Sequence, residues 1–205
     1  MEFFMTYLFW CAAGYLSGSV LYAYLIPKQF CHVDIRTLSD DGNPGTANAF
    51  KYAGFFAGSS VILCELLKAF LPVFLAARML DPGKLPFAFV IAAPVAGHAF
   101  SVFSKGKGGK AIAASFGAIL GLFPELFPLA ALAFFYILFS TLVVIKPHLI
   151  RSVVTFALFA LTVYKRVSIP SIQLGCLLIS IITIFKHLIH YQKEEIRVSF
   201  GFRRR

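Results

Sequence analysis

Between two apolar stretches the chain carries Gly97-His98 and then Lys105-Gly106-Lys107-Gly108-Gly109-Lys110, and it returns to apolar sequence at Ala111. Three lysines interleaved with three glycines suit an anion. Glycine lets backbone N–H groups turn toward a ligand with no Cβ in the way, and lysine supplies the charge that a phosphate or carboxylate needs. Lysines that only anchor a protein at a membrane surface have no use for such glycines. His98 is the nearby side chain whose ordinary pKa suits proton transfer near neutrality, although a histidine ending an apolar run can equally cap a helix. These types at this spacing point to phosphorylated substrates.

Two further polar groupings stand out. The segment from about 28 to 53 carries Asp34-Ile35-Arg36 and then Asp40-Asp41-Gly42-Asn43-Pro44-Gly45-Thr46-Ala47-Asn48. Glycines and asparagines this dense specify turns and offer amide and backbone hydrogen bonds in a tight bend, which an ordinary connecting loop also provides. Glu65 and Lys68 lie three residues apart inside an apolar run, so they share a helix face and can pair, which offsets the cost of burying either.

The elements that position these groups are membrane helices. With 59% hydrophobic residues, 14% charged residues, 24 phenylalanines and a mean hydropathy of +0.81, a soluble chain of 205 residues would have no surface to show water. The first apolar run, Phe3 to Ile26, has no basic leader and no small-residue cleavage site, so it reads as a retained helix. Spanning segments are expected near 3–27, 54–79, 86–103, 111–123, 126–145, 151–164 and 170–188. At 1.5 Å per residue, 111–123 and 151–164 reach only about 20 Å of a hydrocarbon core about 30 Å thick. Five full spans with shorter pieces lining a cavity is the alternative count. The expected fold is an all-α, polytopic membrane bundle of about seven segments forming one domain over 1–205.

Basic residues test this layout, because short cytoplasmic loops collect lysine and arginine. With the N-terminus outside and the C-terminus in the cytoplasm, fourteen of the 19 basic residues fall inside: Lys28, Arg36, Lys51, Lys105, Lys107, Lys110, Lys146, Arg151, Lys186, Lys193, Arg197 and Arg203 to Arg205. Arg78, Lys84, Lys165 and Arg166 fall outside, and Lys68 lies within a span. Anionic lipids then account for the net charge of +10, with Arg203 to Arg205 as a headgroup anchor, and no nucleic-acid partner is expected. The four cysteines, Cys11, Cys31, Cys64 and Cys176, are scattered singly and fit neither a disulfide framework nor a zinc site. Gly18 and Ser19 read as small residues at a helix contact.

Taken in order, Gly18-Ser19, Tyr24-Leu25-Ile26, the loop from Asp34 to Asn48, Lys68 with Pro72, Gly97-His98 and the glycine-lysine loop to Lys110 resemble the bacterial acyl-phosphate:glycerol-3-phosphate acyltransferase family. The resemblance covers about residues 14 to 117. It implies a seven-helix enzyme of the bacterial inner membrane that moves a fatty acyl group from acyl phosphate to glycerol 3-phosphate, making lysophosphatidate for phospholipid synthesis, with its three motifs facing the cytoplasm. The second motif is the specific one: Gly97, His98, Phe103, Lys107, Gly108, Gly109 and Lys110 match, while its proline and last glycine are Ser101 and Ala111. In the first motif, Gly-Ser-Gly-Asn-Ile-Gly-Ala-Thr-Asn, Gly42, Asn43 and Asn48 match, the serine is Asp41, the threonine is Ala47, and a nearby arginine is Lys51. The third motif is kept only at Ile196, Arg197 and Gly201, with Glu195 in place of asparagine and Arg203 in place of glutamate.

An acyl phosphate is already activated, so the reaction needs alignment and charge neutralisation more than a protein nucleophile. The resemblance then implies that Lys107, Lys110 and the Gly108 and Gly109 amides hold the acyl phosphate and stabilise the departing phosphate. Arg36 and Lys51 would hold the acceptor phosphate, Asn43 and Asn48 would orient its hydroxyls, and the acceptor's own phosphate or His98 would take the hydroxyl proton. Asp41, Gly42, Gly45 and Lys68 complete the expected substrate-binding set, and neither a metal nor a cofactor is expected. Two alternatives stay open: the same architecture acting on a different phosphorylated or anionic acceptor, which the clustering of changes in the first and third motifs beside an intact glycine-lysine loop favours, or a non-catalytic relative that handles lipids or anions.

Overall fold

The computed structural model describes residues 2–39, 42–189 and 195–201. It is a helical membrane protein: α1 (Glu2–Ser19), α2 (Tyr22–Phe30), the single turn α3 (Ile35–Leu38), α4 (Thr46–Met79), α5 (Phe87–Ala99), α6 (Ile112–Leu120), α7 (Phe127–Ile137), α8 (His148–Arg166) and α9 (Pro170–Ile189). Five helical stretches are long and apolar enough to cross a membrane: Phe4–Phe30, Thr46–Met79, Phe87–Ser104, His148–Arg166 and Pro170–Ile189. All seven expected segments are present as helices; among the described residues five are of spanning length, and α6 and α7 are the shorter pieces. Large apolar side chains such as Phe4, Phe9, Phe56 and Phe134 stay exposed on the outside, as a lipid-facing surface requires.

Four of the expected segments differ in their bounds or continuity. The segment expected at 151–164 runs over 19 residues, because His148, Arg151, Lys165 and Arg166 end the helix at its two interfaces rather than interrupting it. The segment expected at 126–145 stops early: α7 passes into a π turn over Leu138–Leu142, and the β-branched run that follows forms β1 (Val143–Lys146). β1 pairs antiparallel with β2 (Arg197–Phe200), Val143 opposite Phe200 and Lys146 opposite Arg197, a two-stranded sheet that the helical reading does not contain. The first segment is broken at Val20 and Leu21 into α1 and α2, although neither residue is a glycine or proline. The 34 residues of α4 exceed any bilayer, and they kink at Gly54, whose φ of +84° lies in the left-handed region that favours glycine.

Packing is closest where small residues meet. A Cβ on Gly18 would lie 2.0 Å from Pro94 O, and one on Gly97 would lie 2.0 Å from Tyr15 O, so α1 and α5 touch backbone to backbone. Ser19 Oγ donates to Tyr15 O at 2.8 Å and Ser101 Oγ donates to Ser19 O at 2.6 Å, tying this contact to the end of α5. Gly117 brings α6 against Leu66 O of α4 in the same way. Phe87, Ile91, Ile119, Leu132, Phe156, Phe159 and Ile179 form a fully buried interior around α5. The polar loops segregate to two ends: Tyr7 OH donates to Asp81 O at 2.9 Å at one, and Arg36 Nη2 donates to Ser104 Oγ at 3.2 Å at the other.

Candidate active site

Past α5 the chain makes one 3-10 turn at Val102–Ser104, then passes through left-handed Lys105 (φ +52°) and Gly106 (φ +77°) and re-enters α6 from Ala111 (φ +61°). Gly106 N–H donates to Ser101 O at 2.8 Å, Lys107 N–H to Ser104 O at 2.9 Å and Gly109 N–H to His98 O at 3.2 Å. The loop therefore lies directly on His98. A Cβ on Gly108 would stand 1.8 Å from His98 O, and one on Gly109 would stand 2.3 Å from His98 Nε2. Close approach to His98 is thus a reason for these two glycines that ligand binding alone does not supply. The Gly109 amide is taken up by His98 O, whereas among the described residues the Gly108 N–H has no hydrogen-bond partner.

His98 is held from behind by charge. Glu65 and Lys68, side by side on α4, are buried and form an ion pair at 2.6 Å. His98 Nδ1 lies 2.9 Å from Lys68 Nζ and 2.9 Å from Glu65 Oε2. The break between α1 and α2 supplies the remaining partners: Lys68 Nζ donates to Val20 O at 2.5 Å and Glu65 Oε1 accepts from Ala23 N–H at 3.1 Å. Backbone groups freed inside a membrane must find partners, and side chains inserted into the helix ladder open such breaks. Here the ion pair and the broken helix satisfy each other.

In front of His98 opens a cavity of about 920 Å³. Its polar end is formed by Asn43, Thr46, Asn48, His98, Lys110 and His187, and its walls by apolar side chains including Phe50, Ile62, Leu66, Phe116, Leu120 and Leu129. Gly45 lines it as well, with its N–H donating to Asn43 O at 2.9 Å, while Asn48 Nδ2 donates to the same carbonyl at 2.9 Å and so ties the turn together. Of the residues expected from sequence, Asn43, Gly45, Asn48, His98 and Lys110 meet at this cavity. Lys68, Gly108 and Gly109 stand around His98 without lining it. Gly42, at φ +61°, shapes the turn. Arg36 stacks over Tyr24 at 4.1 Å and reaches Ser104 beside the glycine-lysine loop. Lys51 stands exposed over the Tyr52 ring at 4.6 Å, and Lys107 is exposed on the loop. Asp41 lies outside the described residues.

Sequence reasoning did not find His148, His187, Thr46 or Tyr136, which also line the cavity. The rings of His148 and His187 stack at 5.4 Å and 12°, and His187 Nδ1 donates to Thr183 O at 2.8 Å. Thirty-nine positions separate these histidines, and no local pattern marks their meeting. The expected third-motif residues lie elsewhere: Arg197 pairs with Glu195 on the surface at 2.6 Å, and Gly201 packs against Thr141 O. Arg203 lies outside the described residues.

Fold and cavity together define a multi-pass membrane protein with a pocket that is polar at one end and apolar along its length. The profile of the family described as glycerol-3-phosphate acyltransferase matches residues 8–194. "Glycerol-3-phosphate acyltransferase 2" of Lactobacillus johnsonii is 39% identical over 153 residues, covering 74% of this chain and 70% of its own. The glycerol-3-phosphate acyltransferase of Enterococcus faecalis is 34% identical over 199 residues, covering 93% of this chain and 91% of its own. Other relatives at 38–40% identity are matched over 52–58% of their length. Among solved structures, the glycerol 3-phosphate form of PlsY, an integral membrane glycerol 3-phosphate acyltransferase, superposes with a TM-score of 0.74 at 24% identity, covering 89% of this chain and 88% of that one. The chain belongs to the glycerol-3-phosphate acyltransferase family, and is an integral-membrane acyltransferase.

Proposed function

We propose that this protein, acting as one membrane domain, transfers a fatty acyl group from an acyl phosphate to glycerol 3-phosphate and releases lysophosphatidate and phosphate. The acceptor hydroxyl oxygen forms the ester bond to the acyl carbon, the bond from that carbon to the phosphate oxygen breaks, and the phosphate leaves with the electron pair. The hydroxyl proton passes to a phosphate oxygen, so no protein nucleophile is required. Lys110 faces the leaving phosphate, Lys107 and Arg36 raise the positive potential around the mouth, and Asn43 with Asn48 shapes the turn beside the acceptor. The acyl chain lies along Phe116, Leu120 and Leu129.

The observation that carries this reading is the cavity itself: about 920 Å³, with His98, Lys110 and two asparagines at one end and apolar walls beyond them. A headgroup and a chain in one molecule need that division. Among the described residues, ten lysines and arginines lie in the loops and helix ends on the side of the polar end and four on the other, which supports a cytoplasmic location for the site, an outside N-terminus and residence in the bacterial inner membrane.

The test is transfer by purified protein in lipid nanodiscs, with palmitoyl phosphate as donor and glycerol 3-phosphate as acceptor, and lysophosphatidate as the product sought. Transfer to glycerol 3-phosphate is expected. A second acceptor is favoured by one feature, the replacement of the motif's two hydroxyl residues by Asp41 and Ala47, of which Ala47 lines the cavity. A panel of phosphorylated polyols run alongside decides between the two acceptors, and no acylated product from any of them refutes the activity.

A further inference from the structure

We propose that His98 serves as a neutral hydrogen-bond donor, its proton on Nε2, and that Lys68 is the positioning residue that keeps it in that form. The usual arrangement of a catalytic histidine is the opposite: a carboxylate accepts from Nδ1–H and leaves Nε2 bare to act as a base. Glu65 stands where such a carboxylate would stand, so proton counting must decide.

Lys68 has three ammonium protons and donates only. Around its Nζ lie three acceptors: Val20 O at 2.5 Å, Glu65 Oε2 at 2.6 Å and His98 Nδ1 at 2.9 Å. With a bare Nδ1, the ammonium donates to Val20 O and to Nδ1 and lies against Glu65 Oε2 as an ion pair. With a proton on Nδ1, the third ammonium hydrogen would face a ring N–H at 2.9 Å, donor against donor, in a place that water does not reach. Charge agrees with the count: Glu65 and Lys68 neutralise each other, so a neutral ring leaves the buried cluster uncharged, and an imidazolium would not. The short approach of Glu65 Oε2 to Nδ1 is then that of two acceptors sharing one ammonium.

The ring proton therefore sits on Nε2, the edge that faces Gly109 and the cavity. Beside Lys110, which lines the same cavity, it adds a second donor for oxygen atoms of the substrate. A donor held by a buried ion pair needs little reorganisation as charge builds on the leaving phosphate. The role of that donor in turnover rests on the acyl-transfer reading above; the position of the proton does not.

Two measurements on the full chain in nanodiscs test this. In protein labelled with 15N-histidine, the His98 resonances are assigned by their loss in His98→Gln. The wild type is expected to show Nε2 protonated and Nδ1 bare. In Lys68→Met, Glu65 faces the ring without its counter-ion and should draw the proton to Nδ1. In the transfer assay, His98→Gln keeps a donor near the same place and should lose no more than about tenfold, against about 10²–10³ for His98→Leu. A general base would lose equally in both. A wild-type ring protonated on Nδ1, or equal losses in the Gln and Leu variants, overturns the proposal, and the wild-type spectrum decides even if Lys68→Met does not fold. A protein that shows the Nε2–H form yet transfers nothing would instead refute the proposed function and leave the proton assignment standing.

Discussion

Gly108→Ala is the sharpest perturbation the structure offers. An added Cβ would meet His98 O at 1.8 Å and Ala99 O at 2.6 Å, and both are backbone atoms that cannot rotate away. Real Cβ contacts are essentially never under 3.0 Å, so the loop or the end of α5 has to retreat by more than 1 Å. That movement pulls the loop amide and Lys110 away from His98. A misplacement of about 1 Å in a positioned site costs roughly 10² in rate, which corresponds to about 2.7 kcal/mol of lost transition-state stabilisation. Gly108 lies in a loop outside the spans, so the bundle should still form. Gly106→Ala is the matched control: its φ of +77° makes alanine strained by about 1–2 kcal/mol, but nothing lies within 4 Å of the new methyl group. Initial rates of lysophosphatidate formation should therefore fall about a hundredfold in Gly108→Ala and far less in Gly106→Ala, with both proteins eluting as folded species. Equal rates in the two variants would refute the claim that the loop is registered on His98.

Other consequences follow from the same geometry. Glu65→Ala leaves Lys68 buried without its counter-ion and the Ala23 N–H without an acceptor, so it should destabilise the fold by about 3–5 kcal/mol, read as a large drop in the detergent-solubilised melting temperature; an unchanged melt would contradict the burial of the pair. Lys110→Ala, at the cavity, should reduce turnover by about 10²–10³. Lys107→Ala, exposed and screened by salt, should cost much less, and indistinguishable losses would count against the assignment of Lys110. Gly97→Ala pushes α1 and α5 apart at Tyr15 O and should destabilise by about 1–3 kcal/mol, again followed by melting. For orientation, Lys105→Cys should react with a membrane-impermeant maleimide only from the cytoplasmic side and Lys84→Cys only from the outer side; the reverse pattern would invert the proposed topology.

Composition alone forces a membrane bundle here, because 59% hydrophobic residues cannot be hidden inside a chain of 205. The glycine-lysine loop was legible for a similar reason: charges and glycines clustered within six positions have few structural uses, and their chemistry does not depend on distant residues. The start of the span expected at residue 54 coincides with the kink at Gly54, where a local backbone preference decides the matter. Tertiary structure decided what depends on meetings across the fold. The helix break at Val20 and Leu21 has no glycine or proline to announce it, and it persists because Lys68 and Glu65, over forty positions away, take up the freed backbone groups. His148 and His187 enter the cavity only because α8 and α9 converge there, and the engagement of the Gly109 amide by His98 appears only once α5 and the loop are docked. Short-range patterns in a sequence report hydropathy and local backbone freedom, whereas the pairing of buried polar groups is a global constraint that only the assembled bundle can satisfy.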